Sequence, residues 1–172
     1  PLNSLSFLPS TIDRLSFRYP DSPVLALEDV SLTIRPGEKI ALVGENGSGK
    51  TTLVKLLCRL YDPSEGDIRI DGIPLRHFAT TDLHKEMSVV FQDYMRYELT
   101  VRENIALGND AASIEEAARR TGVHDVIANL PHGYDTRVGD RGVRLTDAQR
   151  HRLALARALV RDPAVLLLDD VT

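Results

Sequence analysis

Gly44-Glu45-Asn46-Gly47-Ser48-Gly49-Lys50-Thr51 satisfies the spacing G-x-x-x-x-G-K-[ST] without a mismatch. Glycines at these positions let a backbone wrap an anion with its N–H groups, and a helix starting at Lys50 would add a partial positive charge. Lys50 is then a cation for terminal phosphates, and the Thr51 hydroxyl is a ligand for Mg²⁺. Glu45, Asn46 and Ser48 fill the cradle between the glycines, and Thr52 extends the phosphate-contacting run. A second chemical signal lies far along the chain. Ala164 to Leu168 is an apolar run that delivers the carboxylate of Asp169 at its end. Open α/β sheets bind ligands at that end of a strand, and an aspartate there suits Mg²⁺ beside phosphates. The plain alternative for Asp169 is a surface or helix-capping carboxylate. Gln92 directly follows the apolar run Ser88 to Phe91, within reach of a metal or an attacking water. Polar residues commonly end strands, so Gln92 gains weight only beside the other signals.

The elements that would position these groups are readable. Lys39 to Val43 reads as a short apolar strand entering the glycine loop. Thr51 to Leu60 reads as a helix with Leu53, Leu56, Leu57 and Leu60 inward. Leu15 to Tyr19 and Val30 to Ile34 are expected strands, separated by the turn residues Pro20-Asp21-Ser22-Pro23. Asp67 to Ile70 and Ser88 to Phe91 are further strands. From Thr100 to about Asn129 the pattern turns helical, with Thr100 as one cap and Ser113 with Glu116 as a capping box. Pro131 to Gly142 is loop-rich. A helix is expected from about Asp147 to Val160, opened by a capping box of Thr146 with Gln149. Val165 to Leu168 is expected to be a buried strand.

At 172 residues, 42% hydrophobic and 27% charged, the chain has the makings of one α/β domain or most of one. A net charge of −4 argues against binding driven by nucleic-acid phosphates. The single cysteine, Cys58, cannot form an internal disulfide and reads as a small buried hydrophobe, in keeping with a reducing compartment. No run approaches membrane-spanning length and there is no signal peptide, so a membrane role requires a partner or residues outside these.

With Leu145-Thr146-Asp147-Ala148-Gln149-Arg150 leading into a helix, these motifs together resemble the nucleotide-binding domain of ABC transporters of the exporter type. The resemblance runs from about Leu15 to Thr172. It implies an α/β P-loop NTPase core, RecA-like, a mixed sheet flanked by helices, with a helical subdomain and the C-terminal part missing. Residues 1–92 would be the first part of the core, 93–150 the helical subdomain, and 151–172 the return to the core. By the same resemblance Tyr19 stacks on adenine (a packed strand aromatic is the alternative), and Gly44 to Thr51 is Walker A. Gln92 is the Q-loop residue, and Val165 to Asp169 is Walker B. Thr136 to Gly142 looks like the x-loop that leans on a transmembrane partner. The implied cofactors are ATP and Mg²⁺. The implied partners are the transmembrane domains of an exporter and a second nucleotide-binding domain, head to tail, at the cytoplasmic face of a membrane. The rival readings are a regulatory subunit that binds ATP without hydrolysing it, and a soluble relative that acts in DNA maintenance.

The departures bear on turnover. The family's signature is usually L-S-G-G-Q, and here Thr146, Asp147, Ala148 and Gln149 stand in that loop. Thr146 keeps the hydroxyl, but Asp147 sets a carboxylate near a polyphosphate, and Ala148 adds a Cβ where glycine permits close approach. Asp170 occupies the place of the usual glutamate that polarises water, one methylene shorter. A shortfall on the order of an ångström can cost about 10²-fold in rate. The catalytic set implied is therefore Lys50, Gln92 and a compromised Asp170, with Thr51, Gln92 and Asp169 around the metal. The family's later motifs, including a switch histidine, do not occur within this sequence, so a piece of a larger transporter is expected. A strand such as Val165 to Leu168 would then expose an apolar edge, lowering stability or promoting self-association.

Overall fold

The computed structural model describes residues 10–93, 95, 97–107 and 113–169. The chain divides into two units, residues 1–87 and 88–172. In the first unit β1 (Ser10–Phe17) pairs antiparallel with β2 (Leu27–Ile34) on one side and β3 (Glu65–Ile70) on the other. The short β4 (Ile73–Pro74) completes the order β2-β1-β3-β4.

Strict alternation would send Ile12 and Leu15 to opposite faces of the sheet. Both are buried, because a bulge at Arg14, in the left-handed region at φ 45°, inserts one residue between them. A compensating bulge sits at Asp29 on β2, at φ 47°. Serines on the opposite strand satisfy the displaced amides. Arg14 N–H donates to Ser31 Oγ at 2.9 Å and Asp29 N–H to Ser16 Oγ at 3.0 Å. Gly66 on β3 lies against the first bulge, where a Cβ would come within 2.3 Å of the Arg14 carbonyl oxygen. The strand expected over Leu15 to Tyr19 therefore starts earlier and stops before Tyr19.

Helix α1 (Lys50–Leu57) buries Thr52, Leu53, Val54 and Leu56. It ends in a Schellman turn. Arg59, at φ 52°, donates to the Leu56 carbonyl and Leu60 to the Lys55 carbonyl, both at 2.9 Å. Leu60 thus falls beyond the helix and is 51% exposed, against the expectation that it points inward. Cys58 is buried as expected, and burial pushes its thiol up to about 11, leaving it protonated at neutral pH. Lys39 to Val43 is not a strand: no described segment forms a ladder with it, and Ile40, Leu42 and Val43 are exposed. An extended apolar run becomes a strand only when a neighbour takes its amides and carbonyls. A 3-10 turn (Leu75–His77) and α2 (Thr80–Glu86) close the unit with Leu75, Phe78 and Leu83 buried.

The last three residues of β5 (Met87–Val90) open the second unit, in which α3 (Val101–Ala106), α4 (Ile114–Arg120) and α5 (His124–Ala128) follow. Thr100 and Glu103 form a full capping box on α3, and hydrogen bonds from the Thr100 backbone and hydroxyl hold the Glu103 carboxyl below its usual range. The box expected at Ser113 and Glu116 does not form. Ser113 has ψ 20°, outside the extended conformation that aims a cap at the first turn, and makes no side-chain cap bond. Helix α6 (Asp147–Leu159) packs two ways. Leu153, Ala156 and the following Val160 join Val101, Ile105, Ala118 and Ile127 of the shorter helices, while Ala154 and Ala158 meet Val90 of β5. β5 also pairs with β6 (Val165–Leu168). β6 was expected to be buried, but Leu166 and Leu168 are exposed on alternate positions, since β5 is its one ladder neighbour among the described residues.

Two side chains staple the segment after Gln92 to this helical body. Asn104, 1% exposed, donates to the carbonyls of Tyr97, Leu99 and Thr100 at 3.0–3.3 Å. Arg157 donates to Asn104 O and Oδ1, both at 2.9 Å, and to Met95 O at 3.1 Å, with its guanidinium 4.8 Å from the Tyr97 ring centre. Burial holds the Arg157 guanidinium below its ordinary value. Replacing Asn104 by Leu removes the donor to three carbonyls and orphans part of Arg157. Urea unfolding should show a loss of about 2–4 kcal/mol, and a loss under about 0.5 kcal/mol would contradict the staple.

Candidate functional site

The phosphate loop lies in the first unit. It begins at an exposed stretch and turns into α1 at Gly49, the N-cap residue, at φ 91° and ψ 2°. That left-handed conformation is one glycine adopts without strain. Space excludes other residues too: a Cβ on Gly49 would lie 2.5 Å from Leu27 Cδ2 and 2.8 Å from the Ala26 carbonyl oxygen. Gly47 is also left-handed, at φ 85°, and a Cβ on Gly44 would come within 2.6 Å of Ser48 Oγ. Ser48 N–H closes the turn onto the Glu45 carbonyl at 3.1 Å.

Lys50 folds back across this loop. Its Nζ donates to the carbonyls of Gly44 and Glu45, both at 2.8 Å, and to Ser48 Oγ at 3.2 Å. The ammonium is thereby fixed over the loop by Gly44, Glu45 and Ser48. The start of α1 has no side-chain cap and no acidic residue in its first turn, so its dipole is uncompensated by side chains. Glycine dihedrals, a fixed ammonium and a bare helix start fit a polyphosphate. Thr51, next along, is exposed at the helix start. Tyr19 follows the end of β1, half-buried, and its hydroxyl lies 3.2 Å from Thr52 Oγ1. Tyr19, Thr52 and the loop are thus brought together within one unit.

Gln92 and Asp169 belong to the second unit. Asp169 N–H donates to the Val90 carbonyl at 2.9 Å, which sets Asp169 at the end of β6 beside the end of β5, two residues before Gln92. Asp169 is buried at 5% exposure and Gln92 is exposed. Carboxylate, amide and threonine oxygens are the hard donors that suit Mg²⁺. Asp170 lies outside the described residues.

Thr146 to Gln149 open α6, and here the expected capping box is present. Thr146 Oγ1 accepts from Gln149 N–H at 3.3 Å, and Gln149 Oε1 accepts from Thr146 N–H at 2.9 Å. Asp147, the carboxylate expected near a polyphosphate, pairs with Arg150, whose guanidinium also donates to the Leu145 carbonyl at 2.6 Å. Ala148 is exposed in the same first turn. Near this loop is a cavity of 320 Å³ lined by Met95, Tyr97, Glu98, Val138, Arg144, Arg150 and Arg157, among others. Sequence reasoning missed the Asn104–Arg157 pair and the ring of Tyr61, 5.3 Å from that of Tyr19. An arginine spaced 53 residues from its acceptor leaves no local pattern to read. Tyr61 follows a helix end, where an aromatic has no periodicity to mark it.

Comparison with known proteins agrees with the family resemblance. The ABC transporter family model matches residues 27–172. An ATP-dependent lipid A-core flippase of Alkalilimnicola ehrlichii is 46% identical over 164 residues, covering 93% of this chain and 28% of that protein. An export ATP-binding/permease protein of Staphylococcus aureus is 44% identical over 164 residues, covering 94% of this chain and 28% of that protein. The solved structure of a bacterial Atm1-family ABC exporter with ATP bound superposes with a TM-score of 0.90 at 39% identity, over 100% of this chain and 31% of that one. The chain thus spans less than a third of the length of each.

Gly49→Ala tests the loop geometry before any ligand is added. The variant should lose about 1–3 kcal/mol of stability in urea from dihedral strain and the contact with Ala26. Unchanged stability would mean that the left-handed cap is not held in solution.

Proposed function

The chain belongs to the ABC transporter family, as an ATP-binding domain similar to those of exporters, and on that premise we propose that it binds Mg-ATP to power transport by a membrane partner. The observation that carries this reading is the phosphate loop, with Gly49 as a bare cap and Lys50 held over the cradle. Its backbone from Gly44 to Gly49 would hold the phosphates, with Lys50 over the terminal ones and Thr52 following. Thr51, Gln92 and Asp169 would hold Mg²⁺, Gln92 would also orient water, and the Tyr19 ring would take the base. When bound, Mg²⁺ would neutralise phosphate charge.

Residues 93–150 act, in this reading, as a helical subdomain that meets the transmembrane domains of an exporter at the cytoplasmic face of a membrane. The cavity beside Arg144, Arg150 and Arg157 supports a docking place there. No described helix is long and apolar enough to cross a membrane, in keeping with a role carried out through such a partner. A second nucleotide-binding domain would face this one head to tail.

Hydrolysis by this chain alone is weak or absent in our reading. Asp170 replaces the usual glutamate with a shorter side chain. The first turn of α6 is already occupied by its own Gln149, Thr146 and Asp147, which favours a subunit that binds ATP without turning it over.

Titration calorimetry of Mg-ATP into the chain, with Lys50→Ala as control, tests the reading. Saturable binding that weakens at least about 10-fold in the variant is expected, since a charge-assisted phosphate contact is worth roughly 1.5–3 kcal/mol. Equal binding by both, or none by a folded chain, would contradict it.

A further inference from the structure

Three aromatic rings meet beside the phosphate loop. Phe17 and Tyr19 lie edge to face with centroids 4.9 Å apart and planes at 79°. Tyr61 lies edge to face with Tyr19 at 5.3 Å and 85°, and 5.5 Å from Phe17 at 53°. The triangle is closed. Phe17 is a buried residue of β1, while Tyr61 is partly exposed at the rim. The Tyr19 ring is held on further sides by Thr52 Oγ1 at its hydroxyl and by Lys55 Nζ, 5.7 Å from its centroid.

Thr52 and Lys55 are both residues of α1, and Tyr61 follows directly from its Schellman turn. That turn is itself tied down. The Arg59 guanidinium donates to the Phe78 carbonyl and pairs with Asp62 at 3.6 Å. The helix whose N-terminus makes the phosphate cradle thus also carries the contacts that orient the Tyr19 ring. Tyr19 lies past the end of its strand, so its ring is oriented by these side-chain contacts.

We propose that Tyr61 is a positioning residue: it buttresses the Tyr19 ring and so sets the chain's preference for a nucleoside triphosphate over a bare polyphosphate. This rests on the reading of Tyr19 as the base platform. Tyr61 acts through its ring, set edge to face with that of Tyr19, and a phenylalanine serves equally. An aliphatic residue leaves Tyr19 free to tilt, and ordering it then opposes base binding.

The test is calorimetry with two probes, Mg-ATP and Mg-tripolyphosphate, on the wild-type chain and on Tyr19→Leu, Tyr61→Leu and Tyr61→Phe, each checked for folding by circular dichroism. Tyr61→Leu should weaken ATP about 3- to 10-fold, the scale of one aromatic pair, with tripolyphosphate unchanged. Tyr61→Phe should match wild type, and Tyr19→Leu should bind both probes alike. If Tyr19→Leu abolishes the preference while Tyr61→Leu keeps it, the buttress is overturned and the base platform stands. If Tyr61→Leu weakens both probes equally, its role is general folding and the proposal fails. If Tyr19→Leu keeps the preference, the platform reading fails and the buttress with it. Should Tyr61→Leu not fold, Tyr61→Met keeps the bulk without the ring and is held to the same outcomes.

Discussion

Gly49, at φ 91° and wedged between the Ala26 carbonyl and the Leu27 side chain, is the constraint on which the candidate site depends. It lets the chain turn from an exposed loop into α1 with no side chain spent on capping. The loop carbonyls of Gly44 and Glu45 are then available to hold Lys50, and the start of the helix is left for an anion. The wedge also ties the loop to β2, since Leu27 is the first residue of that strand. Packing of the small sheet therefore reaches the cradle through the Leu27 side chain and the neighbouring Ala26 carbonyl.

The same chain builds a second helix start with the opposite electrostatics. At α6, Thr146 and Gln149 satisfy each other's amides, and Asp147 adds a carboxylate in the first turn, paired with Arg150. An exposed pair of this kind is worth little to stability, but it sets the local charge. One helix start is bare and cationic, and the other is self-satisfied and near neutral. On the proposed reading, the first start would hold a polyphosphate, whereas the second would be the one to face the γ-phosphate of an opposing domain.

Legibility in the sequence followed the range of the interactions. Short-range chemistry read correctly: the cap at Thr100, the capping box at Thr146 and the burial of Cys58 depend on residues within one helical turn or one face. Ser113 shows the limit even there, because the same residue types give no cap when the backbone enters at ψ 20°. The bulges at Arg14 and Asp29 were invisible, since each is stabilised by a serine on another strand. Leu60 was misplaced because an arginine, rather than a glycine, takes the left-handed turn that ends α1. Lys39 to Val43 and the outer face of β6 carry strand composition, but a strand is a property of its neighbours. At the site the glycine spacing announced the loop, while the ties of Tyr19 to Thr52 and Tyr61 emerge only in three dimensions.

Whether a polyphosphate sits on the backbone of Gly44 to Thr51 can be read from amide NMR during titration of Mg-ATP into the ¹⁵N-labelled chain. The largest shifts should fall on the amides of Gly47, Gly49, Lys50 and Thr51, with the start of α6 at Asp147 to Gln149 little changed. Saturable binding that leaves the loop amides unmoved, or that shifts Asp147 to Gln149 most, would contradict that placement.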